Sequence, residues 1–491
     1  MRVILGCLGV LVLAGLPGGA ADSGPGAVRP NVLFVAIDDL RNDLGVFGVA
    51  HARTPHLDRL AATGRLFRRH YVQVPTCGAS RGVLWRGRYP TEPAHLGNHA
   101  IRDTHGAWAG DSLPARFRGA GYRTLALGKL THFPGGRTGA DWAVGPEELP
   151  GAWDRAWVPE GPWQTPLAMM HGYANGAARR AGVSPAWEAH EGPDEAYPDA
   201  WVATEAVATL ERLAAEKGPW FFAVGFFKPH LPFAVPKAWH DLHAGGVAEL
   251  SPEAAARPAW PSGWHRSGEF RGNYGHPPGR DPETDGDYAR ATRRAYAASV
   301  SYVDAQVGRV LEALRRLDLE ASTVVVVWSD HGFLLGEHAI WGKHCLYEHA
   351  LRAPLILRTP GLSRPGLPSD AIVETVDLYP TLAGLCGIPV PDGLDGHSLV
   401  AQLNDPEAPS AKPARGYWTG GQRTIRTDRW RLIAHGADGG RARHYELFDY
   451  QDDPEETRNH VEERPDVVRS LAARLGLRSD EEAAAASGSD L

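Results

Sequence analysis

Cysteine is scarce in this chain: four in 491 residues, one of them, Cys7, inside an apolar N-terminal stretch. That excludes a disulfide-dense scaffold as the source of stability. Without the N-terminal stretch, Cys77, Cys345 and Cys386 remain, and an odd number hints at one thiol with a fate of its own. Cys345 and Cys386 either pair or lie buried as two free thiols. No Asn carries the N-x-Ser/Thr glycan acceptor, which disfavours a lysosomal or secreted animal glycoprotein and favours bacterial export. Excess positive charge is lacking too. The net charge is −7, so nothing recommends nucleic acid or an anionic membrane as partner. An anionic substrate would have to meet positive charge gathered locally.

What is present begins with a leader. Arg2, the apolar run Val3 to Leu16 and the small residues Pro17 to Ala21 read as a cleaved signal peptide over 1–21. The apolar run is short for a spanning helix. The expected location is therefore secreted or periplasmic, without stable membrane insertion. At 491 residues and 43% hydrophobic content, two or more domains are expected.

Short apolar runs alternate with helical patterns. Asn31 to Ile37, Tyr122 to Leu127, Trp220 to Phe227, Thr323 to Trp328 and Pro354 to Leu357 read as buried strands. Thr54 caps a helix that Pro55 opens and Gly64 stops. Val300, Val303, Val307, Val310, Leu311, Leu314 and Leu317 share one face of another. The alternation predicts an α/β fold with a large mixed, mostly parallel sheet flanked by helices. Residues 251–290, rich in Pro, Gly, Arg and Asp, read as a long surface excursion. Gln422 to Ile433 and His444 to Tyr450 read as antiparallel strands. The expected division is a catalytic domain over 30–400, a smaller C-terminal antiparallel α+β subdomain over 401–480 and a loose tail over 481–491.

Four clusters carry chemistry. Asp38-Asp39 and Asp330-His331 each follow a buried strand directly, at the sheet edge where α/β proteins gather ligands. Alone, each is a turn or capping group. Together they suggest a shared cation, and mostly oxygen donors favour Ca²⁺ or Mg²⁺ over zinc. Cys77-Gly78-Ala79-Ser80-Arg81 sets a thiol four residues before a guanidinium suited to anions. Lys129, His132, His230 and Lys343 each follow a strand or a Gly/Pro turn. Singly they are surface charges or satisfied histidines; as a set they would cradle a dianionic tetrahedral group.

In order along the chain, these pieces resemble the sulfatase family of the alkaline phosphatase superfamily, from about residue 30 to about 465. DDLR at Asp38, CGASR at Cys77 with Arg86-Gly87-Arg88 beyond it, GKLTH at Gly128, FKPHLPF at Phe227, SDHG at Ser329 and LGEHAIWGKH at Leu335 carry the likeness. Its flavour is that of the iduronate-2-sulfatase branch.

The resemblance implies an alkaline-phosphatase-like fold. It implies that Cys77 is oxidised to formylglycine by a formylglycine-generating enzyme and hydrates to a geminal diol. One Ca²⁺ would be held by Asp38, Asp39, Asp330 and His331 together with residue 77. Attack on sulfur would give a covalent sulfated enzyme, and the second hydroxyl would then expel sulfate. Arg81 and Lys129 would hold the diol and sulfate, and His132 would act as base. Substrate would be bound by Lys129, His230 and Lys343, with His230 or Lys343 protonating the leaving alcohol. The implied substrate is a sulfated sugar such as a 2-O-sulfated uronic acid in a glycosaminoglycan-like glycan.

Ala79 replaces the family's usual Pro and Arg86 its usual Thr, both in the stretch read by the oxidising enzyme. Two rivals follow: a phosphate or phosphonate ester hydrolase of the same superfamily, and an inactive protein that binds sulfated glycans. Loops 133–200 and 240–290 are expected to build the specificity pocket. Trp142, Trp153, Trp163 and Trp187 stack on sugars or, in the blander reading, pack in the interior.

Overall fold

The computed structural model describes residues 29–135, 147–437 and 440–478. The expected leader, Trp142 and the expected tail lie outside these residues. β1, Asn31–Ile37, sits at the centre of the main sheet. It alternates strictly. Leu33, Val35 and Ile37 face one core and Val32, Phe34 and Ala36 the other. A strand apolar on both faces has to be covered on both, which is why it reads as an unbroken apolar run.

The other strands are β2 (Arg65–Tyr71), β3 (Arg123–Gly128), β4 (Arg155–Trp157), β5 (Trp220–Phe226), β6 (Thr323–Ser329), β7 (Leu355–Arg358) and β8 (Ser369–Glu374). Their order is β8-β2-β7-β6-β1-β5-β3-β4. All run parallel except β7, which opposes both β6 and β2. The mixed, mostly parallel sheet expected from sequence is present.

Helix α1, Pro55–Thr63, starts after Thr54 and stops at Gly64, but the Thr54 hydroxyl makes no capping bond and accepts from Gly45 N–H at 2.9 Å instead. The helix expected around Val300 to Leu317 is longer: α2 spans Gly286–Arg316, capped by Asp285, whose carboxylate accepts from Tyr288 N–H at 3.0 Å. Its first half buries Tyr288, Ala289, Thr292, Ala295 and Tyr296, small and polar-tipped residues that give no aliphatic period. β2 was also hidden from sequence, because RLFRRHY carries three arginines. Arg65 is nonetheless buried. Its guanidinium donates to the carbonyls of Gln402, Ser363, Leu403 and Arg364, so the charge is solvated by backbone.

The C-terminal sheet is a meander of β9 (Ala414–Trp418), β10 (Gln422–Arg426), β11 (Trp430–His435) and β12 (His444–Asp449). The segment read as one strand from Gln422 to Ile433 is a hairpin, turned where Thr427 N–H donates to the Trp430 carbonyl at 2.8 Å. Arg431 fixes this sheet to the main domain. Buried, it meets Glu348 at 2.5 Å and Glu456 at 2.8 Å. Arg431→Ala would leave both carboxylates short of charge, and should destabilise the protein by about 3 kcal/mol. A chemical-denaturation midpoint that does not fall would contradict this. Among the described residues, no helix is long and apolar enough to cross a membrane.

Candidate active site

β1 and β6 are parallel neighbours, with Ile37 opposite Ser329. The residues that follow each strand therefore emerge side by side at the carboxyl edge. Asp38, Asp39, Asp330 and His331 have no exposed surface. Asp39 adopts a left-handed backbone at φ 59°, costly for a residue with a Cβ. Two contacts hold it there: its N–H donates to Asp330 Oδ1 at 3.1 Å, and Tyr296 O–H donates to its carbonyl at 2.7 Å.

Cys77 is the first residue of the helix Cys77–Arg86 (ten residues). Its sulfur lies 3.3 Å from His331 Nε2, 3.5 Å from Lys343 Nζ and 4.0 Å from Asp39 Oδ1. Burial alone would raise the thiol's pKa. Lys129, Lys343 and His331 outweigh it and hold the pKa well below the usual value, aided in kind by the helix N-terminus. One turn on, Arg81 packs beneath. Its Nε meets Asp330 at 2.9 Å and its Nη2 meets Asp38 at 3.2 Å, all three side chains fully buried.

Lys129 arrives from the end of β3, and its ammonium pairs with Asp38. The chain passes very close to β5 there. A Cβ on Gly128, at φ +80°, would stand 2.1 Å from the Gly225 carbonyl oxygen, and one on Gly225 would stand 2.1 Å from that of Lys129. Only glycines permit this approach. Burial and Cys77 would raise Asp38, yet Lys129, His230 and Arg81 hold it below the ordinary carboxylate range.

His230 sits on a loop pinned by Asp199, whose carboxylate accepts from the Phe227 and Lys228 N–H groups at 2.8 Å each. Lys228, in the same motif, folds away and donates to the His230 and Pro232 carbonyls. Burial opposes a charge on His230, but Asp39 and Asp38 push its pKa up to about 10. Lys343 Nζ donates to both oxygens of Asp39, at 2.8 and 3.0 Å.

The sequence-derived residues thus converge, though not all on one surface. A cavity of about 350 Å³ is lined by Cys77, His132, His230 and Lys343, whereas Arg81 and Lys129 do not line it. They lie against Asp38. The cavity also takes in residues that sequence did not single out: Asn98, His171, Arg179, Glu269 and His344. Glu269 is the most consequential, 3.2 Å from His230 Nε2 and 3.4 Å from Lys343 Nζ. It comes from the segment read as a surface excursion; its neighbour Phe270 is fully buried and anchors it. Both loops assigned to specificity reach the cavity. Trp153 and Trp163 are core residues and Trp187 stacks on His240, so none of these three faces it. Cys345 and Cys386 are free and buried, in separate cores.

One ligand atom from each of Asp38, Cys77, Asp330 and His331 lies within 4.8 Å of the others, as does one from each of Asp38, Asp39, Cys77 and His230. Burial raises Asp39, and raises Asp330 to about 7, against the cations nearby. Clustered hard oxygens that still want positive charge fit a divalent cation of the calcium or magnesium type.

The family model described as Sulfatase matches residues 30–388, and that described as N-sulphoglucosamine sulphohydrolase, C-terminal, matches 336–480. Iduronate 2-sulfatase of Mus musculus is 32% identical over 395 residues, covering 74% of this chain and 69% of that protein. The phosphonate monoester hydrolase of Agrobacterium radiobacter superposes with TM-score 0.71 at 24% identity, over 91% of this chain and 95% of that one. BT4656, solved with its substrate D-glucosamine-2-N,6-O-disulfate, gives TM-score 0.68 at 22% identity, over 91% and 97%. A family model that spans residues 30–388, most of the sequence, establishes that this chain belongs to the sulfatase family.

Proposed function

We propose that this enzyme hydrolyses sulfate esters of sugars, using a formylglycine formed from Cys77 and one Ca²⁺ held by Asp38, Asp39, Asp330 and His331. The observation that carries the reading is the placement of Cys77: at a helix N-terminus, on the floor of the cavity, within 3.5 Å of both His331 and Lys343. The hydrated aldehyde would supply an oxygen nucleophile, and calcium, when bound, would neutralise charge on that oxygen and on a sulfate oxygen.

The chain's own groups divide the remaining work. Lys129 and Arg81 support the nucleophile, which their contacts with Asp38 favour. His132 lines the cavity beside Cys77, and its Nδ1 meets no hydrogen-bond partner among the described residues; that suits a base at the nucleophile. Lys343 and His230 face the cavity and would bind the ester oxygens. His230, its Nε2 facing the cavity carboxylate of Glu269 at 3.2 Å, would deliver the proton on that nitrogen to the leaving alcohol. Export to the periplasm or the medium belongs to the same proposal, supported by the apolar leader.

A 2-O-sulfated uronic acid is the substrate we favour. The iduronate 2-sulfatase relative supports it, and so does Arg179. This arginine lines the cavity, lies 5.5 Å from the Tyr274 ring centroid and pairs with no carboxylate among the described residues. It is suited to the uronate carboxylate. Arg179→Ala should raise KM for a 2-O-sulfated uronide about tenfold or more, the equivalent of one charge-assisted hydrogen bond. The same variant should leave 4-nitrophenyl sulfate turnover nearly unchanged. Equal effects on both substrates would remove the carboxylate assignment.

The likeness to a phosphonate monoester hydrolase keeps one rival in view. Comparing 4-nitrophenyl sulfate with 4-nitrophenyl phosphate and a phosphonate monoester separates them. Preference for sulfate supports the proposal; preference for a phosphorus ester sinks it.

A further inference from the structure

We propose that a groove on the C-terminal sheet is a second carbohydrate-binding site, one that holds the anionic sugar chain trailing from the residue in the catalytic cavity. The proposal rests on the sulfatase reading and extends it from an end group to a polymer.

The groove has a volume of about 840 Å³, more than twice the cavity's 350 Å³. Its floor is the β9–β10 hairpin. Tyr417 stands directly opposite Arg423 in the ladder, and Arg415 lies two residues before Tyr417, so all three share one face. Arg443 also lines the groove, and Trp418 lines its edge while its side chain alternates to the other face of the hairpin. Arg415 donates to the Arg474 carbonyl at 2.9 Å, but Arg415, Arg423 and Arg443 form no ion pair with any carboxylate among the described residues. In a chain of net charge −7, that is a local excess of positive charge. Glu92, on the facing wall, is engaged in capping the short helix Pro93–His95.

Unpaired guanidiniums interleaved with aromatic rings suit one class of ligand. Planar forks bind sulfate or carboxylate groups, and a Tyr face such as that of Tyr417 takes the apolar face of a sugar ring. One stacked pair links the lining of the groove to that of the catalytic cavity. The Trp418 indole stacks on the His344 imidazole with centroids 5.2 Å apart and planes at 14°, and His344 lines the cavity. A chain whose terminal sugar enters the cavity would leave over this stacked pair and reach the arginines. Whether the anionic groups are sulfates or carboxylates, the recognising chemistry is the same.

The test uses the matured full-length enzyme with 2-O-sulfated di-, tetra- and hexasaccharides, alongside hexasaccharides carrying only carboxylates beyond the terminal unit. KM should fall from disaccharide to hexasaccharide by about tenfold, one charge-assisted contact or more. Arg423→Ala/Arg443→Ala should erase most of that fall and leave disaccharide turnover unchanged. Loss of the effect with the carboxylate-only chain alone would assign the groove to sulfates. Calorimetry with the hexasaccharide reads the same site without turnover, so it judges the groove even if no sulfate is released and the sulfatase reading fails. Weaker binding by the double variant supports the proposal. A KM independent of length, or equal hexasaccharide affinity for both proteins, overturns it.

Discussion

Cys77→Ala should abolish sulfate ester hydrolysis, lowering kcat/KM by about 10⁴-fold or more, as removal of a covalent nucleophile does. The folded state should survive, because the thiol donates no hydrogen bond on which a neighbouring element depends. Its partners are the site's own groups, His331, Lys343 and Asp39. Asn98 and Thr76 hold the helix start by separate contacts, with Asn98 Oδ1 accepting from Gly78 N–H and from Thr76 O–H at 3.1 Å each. An alanine variant that folds, still takes up calcium and no longer turns over is therefore the expected result. Retention of more than a few per cent of activity would show that the nucleophile lies elsewhere.

The companion measurement is the mass of the peptide spanning Cys77 in protein from the native host. Conversion of thiol to aldehyde removes about 18 Da, and makes the residue the two-step nucleophile the reaction needs. Neither Ala79 nor Arg86 lines the cavity, so under the proposed mechanism both would bear on this step and not on the finished site. Ala79 is buried among Val74, Val83, Ala100 and Val376. Arg86 is turned away, bonded to His95 at 2.7 Å and to the Tyr89 carbonyl at 2.6 Å. Any effect of these two residues must act on the chain while the oxidising enzyme reads it. A thiol left unconverted in the native host would transfer the assignment to the glycan-binding alternative.

The residues at strand ends were legible in sequence for a physical reason. Asp38, Asp39, Asp330 and His331 follow runs that are apolar on both faces, and such runs end where a parallel sheet opens to its ligands. Glu269 and Arg179 were not legible. They reach the cavity from irregular segments, where no period ties a residue to a face, and only Phe270 beside Glu269 betrays a buried anchor. The same motif could not tell His230 from Lys228. The distinction rests on Asp199, remote in sequence, which fixes the loop so that His230 faces the cavity and Lys228 satisfies carbonyls. The directions of Arg81 and Lys129 were equally hidden. Sequence marked them as cations near sulfate, while the fold sets them against Asp38. Long-range pairing was the missing information in each case.

Removal of divalent cations should silence the enzyme and soften it at once. Asp38, Asp39 and Asp330 are carboxylates with no solvent exposure, and burial of like charges is tolerated only where counter-charge is close. Lys129, Arg81 and Lys343 supply part of it, yet burial still raises Asp39 and Asp330. A cation bound only by the folded state stabilises it by about 4 kcal/mol when free at a thousand times its Kd. After EGTA treatment, hydrolysis should therefore fall to background and the melting midpoint should drop. Calcium should restore both, with magnesium less effective because it demands tighter octahedral geometry. Asp39→Asn keeps the side-chain shape and removes one charge. Calcium affinity should then weaken by about a hundredfold, some 2.7 kcal/mol, and the calcium-dependent rise in melting midpoint should shrink with it. Melting midpoint separates this from a purely catalytic role, since a residue acting only on substrate would leave the calcium response intact. Protein shown by elemental analysis to be free of divalent metal, but unchanged in activity and midpoint, would refute the calcium assignment. The buried carboxylates would then have to be balanced by Lys129, Arg81 and Lys343 alone.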